Sequence, residues 1–148
     1  MAKIRLTKEF KFEMAHALLG YNGPCKNIHG HSYYLYVTII GETINDPTAS
    51  QDGMVMDFTD LKTIVSTEIT DRLDHALAIN ENTPQHIITS LQSFDNLVLL
   101  PYQPTCENML IDFAARIQKK LPAHIKLYKL KLCETVTSSA EWFAEDNR

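Results

Sequence analysis

A long apolar run, a surplus of basic charge and an even complement of cysteines are all missing from this sequence of 148 residues. No stretch approaches the roughly 20 apolar residues of a membrane-spanning helix, so no membrane partner is expected. The opening residues, Met1 to Lys8, lack the apolar core of a secretory signal, which makes the cytoplasm the expected compartment. A net charge of -4 offers no basic field to a phosphate backbone, and nucleic acid is not an expected partner. The three cysteines, Cys25, Cys106 and Cys133, are odd in number and accompany no secretion signal, which argues against a disulfide framework. What is present is an ordinary globular mixture, 45% apolar and 22% charged. That suits one domain over residues 1–148 with a substantial core. No repeat, low-complexity tract or linker divides it.

Alternation marks the first strand, from Ile4 to Ala15: Phe10, Phe12 and Met14 share one face, Lys11 and Glu13 the other. After turn residues at Gly20 to Pro24, a second strand runs from about His31 to Gly41, rich in Tyr, Val and Ile. Asp57 reads as the N-cap of a helix over 58–73, with Asp60 in its first turn and Leu61, Ile64, Val65, Glu68 and Ile69 at helical spacing. Residues 76–103 are harder to read, with signals for a short helix near 84–92 and a short strand at 97–100. Pro104-Thr105 opens a second main helix, striped by Leu110, Phe113, Ala114, Ile117 and Leu121 and ended by Pro122. Strands at 126–134 and 138–144 close the chain. The order β-β-α-α-β-β predicts an α+β fold, a four-stranded antiparallel sheet with two helices packed on one face.

His29-Gly30-His31 sets two imidazoles at i and i+2, on one face of an extended strand. They share parity with Tyr33, Leu35, Val37 and Ile39, and His16 shares parity with Phe10, Phe12 and Met14. If the two strands pair as a hairpin, His16, His29 and His31 converge on the apolar side. Neutral imidazole is a natural zinc ligand, and a set of three leaves a fourth position for substrate or water. Gly30 would allow backbone and metal to approach closely. Taken singly, each histidine reads as a strand end or a turn; three in phase read as a Zn2+ site. His86 and His124 lie in polar sequence and receive no role.

Five motifs then occur in order: Phe12-Glu13-Met14-Ala15-His16, Cys25-x-x-x-His29-Gly30-His31, Leu73-Asp74-His75, Pro104-Thr105-Cys106-Glu107-Asn108 and Cys133-Glu134-Thr135. Together they resemble the 6-pyruvoyltetrahydropterin synthase family, most closely its bacterial branch of the queuosine pathway, which forms 6-carboxy-5,6,7,8-tetrahydropterin. The resemblance implies the tunnelling fold and a homo-oligomer, trimer or hexamer, with active sites between subunits. It also implies a zinc-dependent lyase that acts on 7,8-dihydroneopterin triphosphate. The carboxy-forming branch releases both triphosphate and acetaldehyde. The three residues between Cys25 and His29 match that branch, whereas residues 76–103 are longer than in its compact members.

The same resemblance implies roles that the residue chemistry can support. A thiol beside a metal-bound substrate can ionise and act as general base, which fits Cys25; a structural loop cysteine or a fourth zinc ligand is the plain alternative. Cys106 competes on paper, since it falls at a helix N-terminus. His75, supported by Asp74, would relay protons with Cys25, although a helix-terminal histidine is a common feature by itself. Glu134 continues the phase of Tyr128, Leu130 and Leu132, so a carboxylate faces apolar surroundings and needs a partner. The NH and NH2 edge of a pterin supplies one, and Glu134 is expected to act in catalysis and in pterin binding. Thr105 and Glu107 read as N-cap and first-turn acid, and as further pterin-binding residues by resemblance.

Three other readings stay open on sequence: a synthase that forms the pyruvoyl product for tetrahydrobiopterin, a zinc hydrolase, and a structural zinc module.

Overall fold

In the computed structural model of the chain, which describes residues 1–148, the alternating segments do pair as a long hairpin. β1 (Lys3–His16) and β2 (His29–Glu42) lie antiparallel, with Phe10 opposite Leu35, Phe12 opposite Tyr33 and His16 opposite His29. Because side chains alternate with a period of two, that register sends Phe10, Phe12 and Met14 and the fully buried Tyr33, Leu35, Val37 and Ile39 to one face. β5 (Lys126–Thr135) pairs with β2, and β6 (Ser138–Phe143) pairs with β5, both antiparallel.

The expected sheet of four antiparallel strands is therefore only part of the sheet. Residues 76–103 supply β3 (Ala76–Asn80), α3 (Gln85–Leu91) and β4 (Leu97–Leu100). β3 pairs parallel with the end of β1, and β4 pairs parallel with β3, so the sheet is mixed and six-stranded in the order β4-β3-β1-β2-β5-β6. The physical reason is connectivity: a strand-helix-strand unit returns the chain in the same direction and extends the sheet in parallel. The fold is α+β with three helical segments rather than two.

The first segment fulfils the 58–73 expectation through a local irregularity. α1 (Phe58–Val65) passes through a π turn (Ser66–Thr70) into α2 (Asp71–Leu73). Its buried residues are Leu61, Val65, Ile69 and Leu73, each four apart. Four residues overshoot one α-helical turn by about 40°, and a turn closed i to i+5 takes up the excess. All four side chains thereby keep facing the sheet. Asp57 caps α1 as expected, accepting from the Thr59 N–H at 2.7 Å.

α4 (Cys106–Lys120) buries Met109, Leu110, Phe113, Ala114 and Ile117 against the same sheet face. Phe12 joins the two layers: its ring stacks on Tyr33 at 5.0 Å and meets Phe113 edge-on at 6.3 Å. One core of 27 buried residues results. α3 stands apart from it, for its buried Ile88 lies outside that core, as does Ile79 on β3. Leu121, the C-cap of α4, is half-buried and packs against this core at the end of the stripe.

Candidate active site

The hairpin end of the sheet carries the three histidines to one place. A ring nitrogen from each of His16, His29 and His31 lies within 4.8 Å of the other two. His16 and His29 are direct cross-strand partners, and their Nε2 atoms are 3.1 Å apart. Each of these rings is oriented through its other nitrogen. His16 Nδ1 donates to the Pro104 carbonyl at 2.7 Å, and His29 Nδ1 donates to the Asn27 carbonyl at 2.8 Å. A carbonyl can only accept, so the proton is on Nδ1 and the Nε2 lone pair is free for a metal. Burial pushes the His16 pKa below its ordinary value, helped by the neighbouring His29 and His31 rings, against the opposing pull of the Pro104 carbonyl and Glu134. The neutral form, the one that ligates, is favoured. These residues fit a zinc ion: three imidazoles, correct tautomers and carbonyls behind two of the rings.

Gly30 is not demanded by the protein packing around it. A Cβ there would come no nearer than 3.5 Å to the Met14 carbonyl, an ordinary contact, so close packing does not require glycine at this point.

Glu134 emerges from the core face of β5 beside Leu132, as its phase predicts. Its Oε1 is 3.6 Å from Nε2 of both His16 and His31. Tyr128, expected on the same face, does not share it. A register shift between Thr38 and Ile39 puts Leu127, not Tyr128, into the core, and the Tyr128 ring lies under the Arg5 guanidinium at 4.0 Å.

A cleft of about 290 Å³ opens next to the histidines. His16, Cys25, Thr105, Glu107 and Glu134 all line it, so the structure unites five residues that are scattered along the chain. Cys25 is held on a short 3-10 turn, Pro24–Lys26. Thr105 caps α4 by accepting from the Asn108 N–H at 3.2 Å, and Glu107 follows in the first turn. Cys106 also borders the cleft, but its thiol is buried and pushed up to about 12, first by desolvation and then by Glu134 and Glu107. Burial outweighs the helix N-terminus, and Cys106 is no rival as a base.

Asp74 and His75 do not join this cleft. They form a corner locked to β1 on both sides of Glu13: Asp74 Oδ1 accepts the Glu13 N–H at 2.9 Å, and the His75 N–H donates to the Glu13 carbonyl at 2.6 Å. The first of these bonds is the leading cause that lowers the Asp74 pKa. His75 Nδ1 is 3.1 Å from Asp74 Oδ2, so the two side chains pair as expected. The His75 side chain is 79% exposed and borders a separate shallow depression with Gly30 and His31. His75 is also the one non-glycine residue with positive φ, 59°.

Several participants escape sequence reading. The Pro104 and Asn27 carbonyls have no side-chain signature. Tyr33 was read only as an apolar strand position, yet its hydroxyl stands 3.4 Å from His16 Nδ1 and is kept protonated by burial. Tyr21, Ser138 and Ser139 line the cleft; only the serines' place on a strand beside Glu134 could have suggested them.

Fold and site define an α+β protein whose sheet end is fit for one metal ion beside a cleft of small-molecule size. The chain belongs to the 6-pyruvoyl tetrahydropterin synthase family, whose model matches residues 5–145. A 6-carboxy-5,6,7,8-tetrahydropterin synthase of Haemophilus influenzae is 35% identical over 141 residues, which are 93% of this chain and 97% of that protein. A 6-pyruvoyl tetrahydropterin synthase of Caenorhabditis elegans superimposes with a TM-score of 0.67 at 25% identity, covering 97% of both chains. An uncharacterized protein of Wolinella succinogenes has the same fold, with a TM-score of 0.80, 19% identity and coverage of 97% of this chain and 99% of its own. No helix in the chain is long and apolar enough to cross a membrane.

Proposed function

We propose that the chain is a zinc-dependent lyase that converts 7,8-dihydroneopterin triphosphate to 6-carboxy-5,6,7,8-tetrahydropterin in the route to queuosine. Triphosphate and acetaldehyde leave. The observation that carries this reading is the cleft where His16, one member of the three-histidine cluster, meets the Cys25 thiol and the Glu134 carboxylate. The relative from Haemophilus influenzae, named for the carboxy-forming reaction, supports the same branch.

His16, His29 and His31 would hold the zinc, which when bound polarises oxygens of the substrate's side chain as a Lewis acid. Glu134 accepts the two N–H bonds of the pterin edge, a bidentate and charge-assisted arrangement. Thr105 and Glu107 bound the ring from the start of α4. Cys25 takes up the proton released from the side chain, and His75, oriented by Asp74, returns one. Because the Asp74–His75 corner opens on a different depression from Cys25, the relay is supplied across a contact between copies of the chain in a homotrimer or hexamer.

The test is product analysis after incubating the zinc-loaded protein with 7,8-dihydroneopterin triphosphate. Acetaldehyde and the 6-carboxy product are expected. A pyruvoyl product without acetaldehyde would move the chain to the sister activity, and no turnover at all would remove the lyase reading.

A further inference from the structure

The segment 17–28, which joins β1 to β2 and carries Cys25, is weakly attached to the rest of the fold. None of its residues is buried. Inside it, the Leu18 N–H donates to the Cys25 carbonyl at 3.0 Å, so Cys25 moves with Leu18 and Leu19. Near its end the Asn27 carbonyl meets the His29 ring. Over residues 17–26, every hydrogen bond that leaves the loop goes to one side chain. The Leu19 N–H donates to Gln103 Oε1 at 3.1 Å, and Gln103 Nε2 donates to the Leu19 carbonyl at 2.5 Å.

Gln103 is well placed to act as an anchor. Its own carbonyl accepts from the Thr105 N–H at 2.7 Å and from Asn108 Nδ2 at 3.1 Å, which fixes it to the start of α4. Its neighbour Pro104 supplies the carbonyl that orients His16. One short stretch, 103–105, thus sets a metal ligand, caps a helix and holds the loop of the thiol. We propose that Gln103 is a positioning residue: its amide pairs with both backbone groups of Leu19 and fixes the Cys25 loop in register with His16. The inference that this register serves catalysis rests on the proposed lyase function; the clamp itself does not.

An amide side chain supplies both a donor and an acceptor at this spacing without titrating. A glutamate of the same length, once ionised, keeps the acceptor for the Leu19 N–H but turns a second acceptor toward the Leu19 carbonyl. On protonation it becomes donor and acceptor again. Gln103→Ala and Gln103→Glu therefore separate a clamp from a general structural role.

Amide hydrogen exchange and turnover are measured on both variants with zinc content verified. Gln103→Ala should exchange faster at Leu19 and across 17–26 while α4 keeps its protection. Its kcat should fall about 10- to 100-fold, with a smaller change in KM, since a misplacement near 1 Å carries that scale. For Gln103→Glu, the ratio of its turnover to the wild type's should rise as pH falls from roughly 8 to 5.5, toward the titration range of a carboxyl. Unchanged exchange at Leu19 in Gln103→Ala would overturn the clamp. Faster exchange with wild-type kcat, or a Glu variant whose ratio ignores pH, would overturn its positioning role. A wild type inactive on the pterin would instead strike the function proposal, with the exchange result standing alone.

Discussion

Cys25 and Cys106 border one cleft, but Cys106 is buried and Cys25 only half-buried. Cys106 opens α4, where a helix dipole would favour thiolate, but desolvation dominates and the group stays protonated near neutral pH. Cys25 sits on an exposed-side turn and takes no part in the histidine cluster. Cys25→Ala should therefore keep bound zinc, read by metal analysis, while turnover falls by about 10²- to 10⁴-fold, the usual contribution of a positioned base. Wild-type turnover in that variant would remove Cys25 from the chemistry. At this scale much of the site was legible. Period-two alternation places His16, His29 and His31 together once the hairpin forms, because cross-strand partners follow from register. The Pro104 carbonyl was not legible, for it lies 88 residues from His16 and any residue type supplies a carbonyl. The separation of Asp74–His75 from Cys25 was equally hidden, since neighbours in a motif list need not share a cleft.

Elements whose apolar residues recur over several turns were legible to their ends, as with 58–73 and α4. The π turn leaves a trace in the four-residue spacing of the buried Leu61, Val65, Ile69 and Leu73, but a helical reading that stops at Ile69 does not reach it. Residues 76–103 resisted because each element there is short: five, seven and four residues give no periodicity long enough to assign. Parallel pairing is also a long-range property that no local pattern announces. Thr105 shows how an element's end serves two purposes, as the cap of α4 and as a wall of the cleft. Thr105→Ala should lower unfolding stability by about 1 kcal/mol in urea titration, the usual loss for a cap. Thr105→Ser should restore most of it. An alanine variant as stable as the wild type would show that the cap bond contributes nothing.

For the molecule as a whole, His16 ties stability to pH. Its folded pKa lies below the ordinary 6.5 because the ring is buried. As pH falls through that value the unfolded chain takes up a proton that the folded chain resists, so stability is present above it and declines below. The metal-free protein should show a falling urea midpoint between about pH 7 and pH 5; a level profile would contradict the burial argument. Assembly can be examined separately. If Asp74–His75 serves the cleft of another copy, Cys25→Ala and His75→Ala should each keep only a residual rate alone. A mixture unfolded together and reassembled should regain part of the wild-type rate, through sites that draw both intact groups from different chains. No recovery in the mixture would confine each site to one chain.

The left-handed backbone at His75 carries a cost of its own. A side chain in that region carries roughly 1–2 kcal/mol of strain that glycine avoids, and two bonds to the Glu13 backbone hold the corner there regardless. His75→Gly should raise the unfolding free energy by about 1 kcal/mol while abolishing turnover, as urea titration and assay would register. Equal stability in the variant would mean the corner is relaxed. Stability alone would favour glycine at this corner; under the proposed function, the imidazole exchanges backbone ease for a group that carries protons.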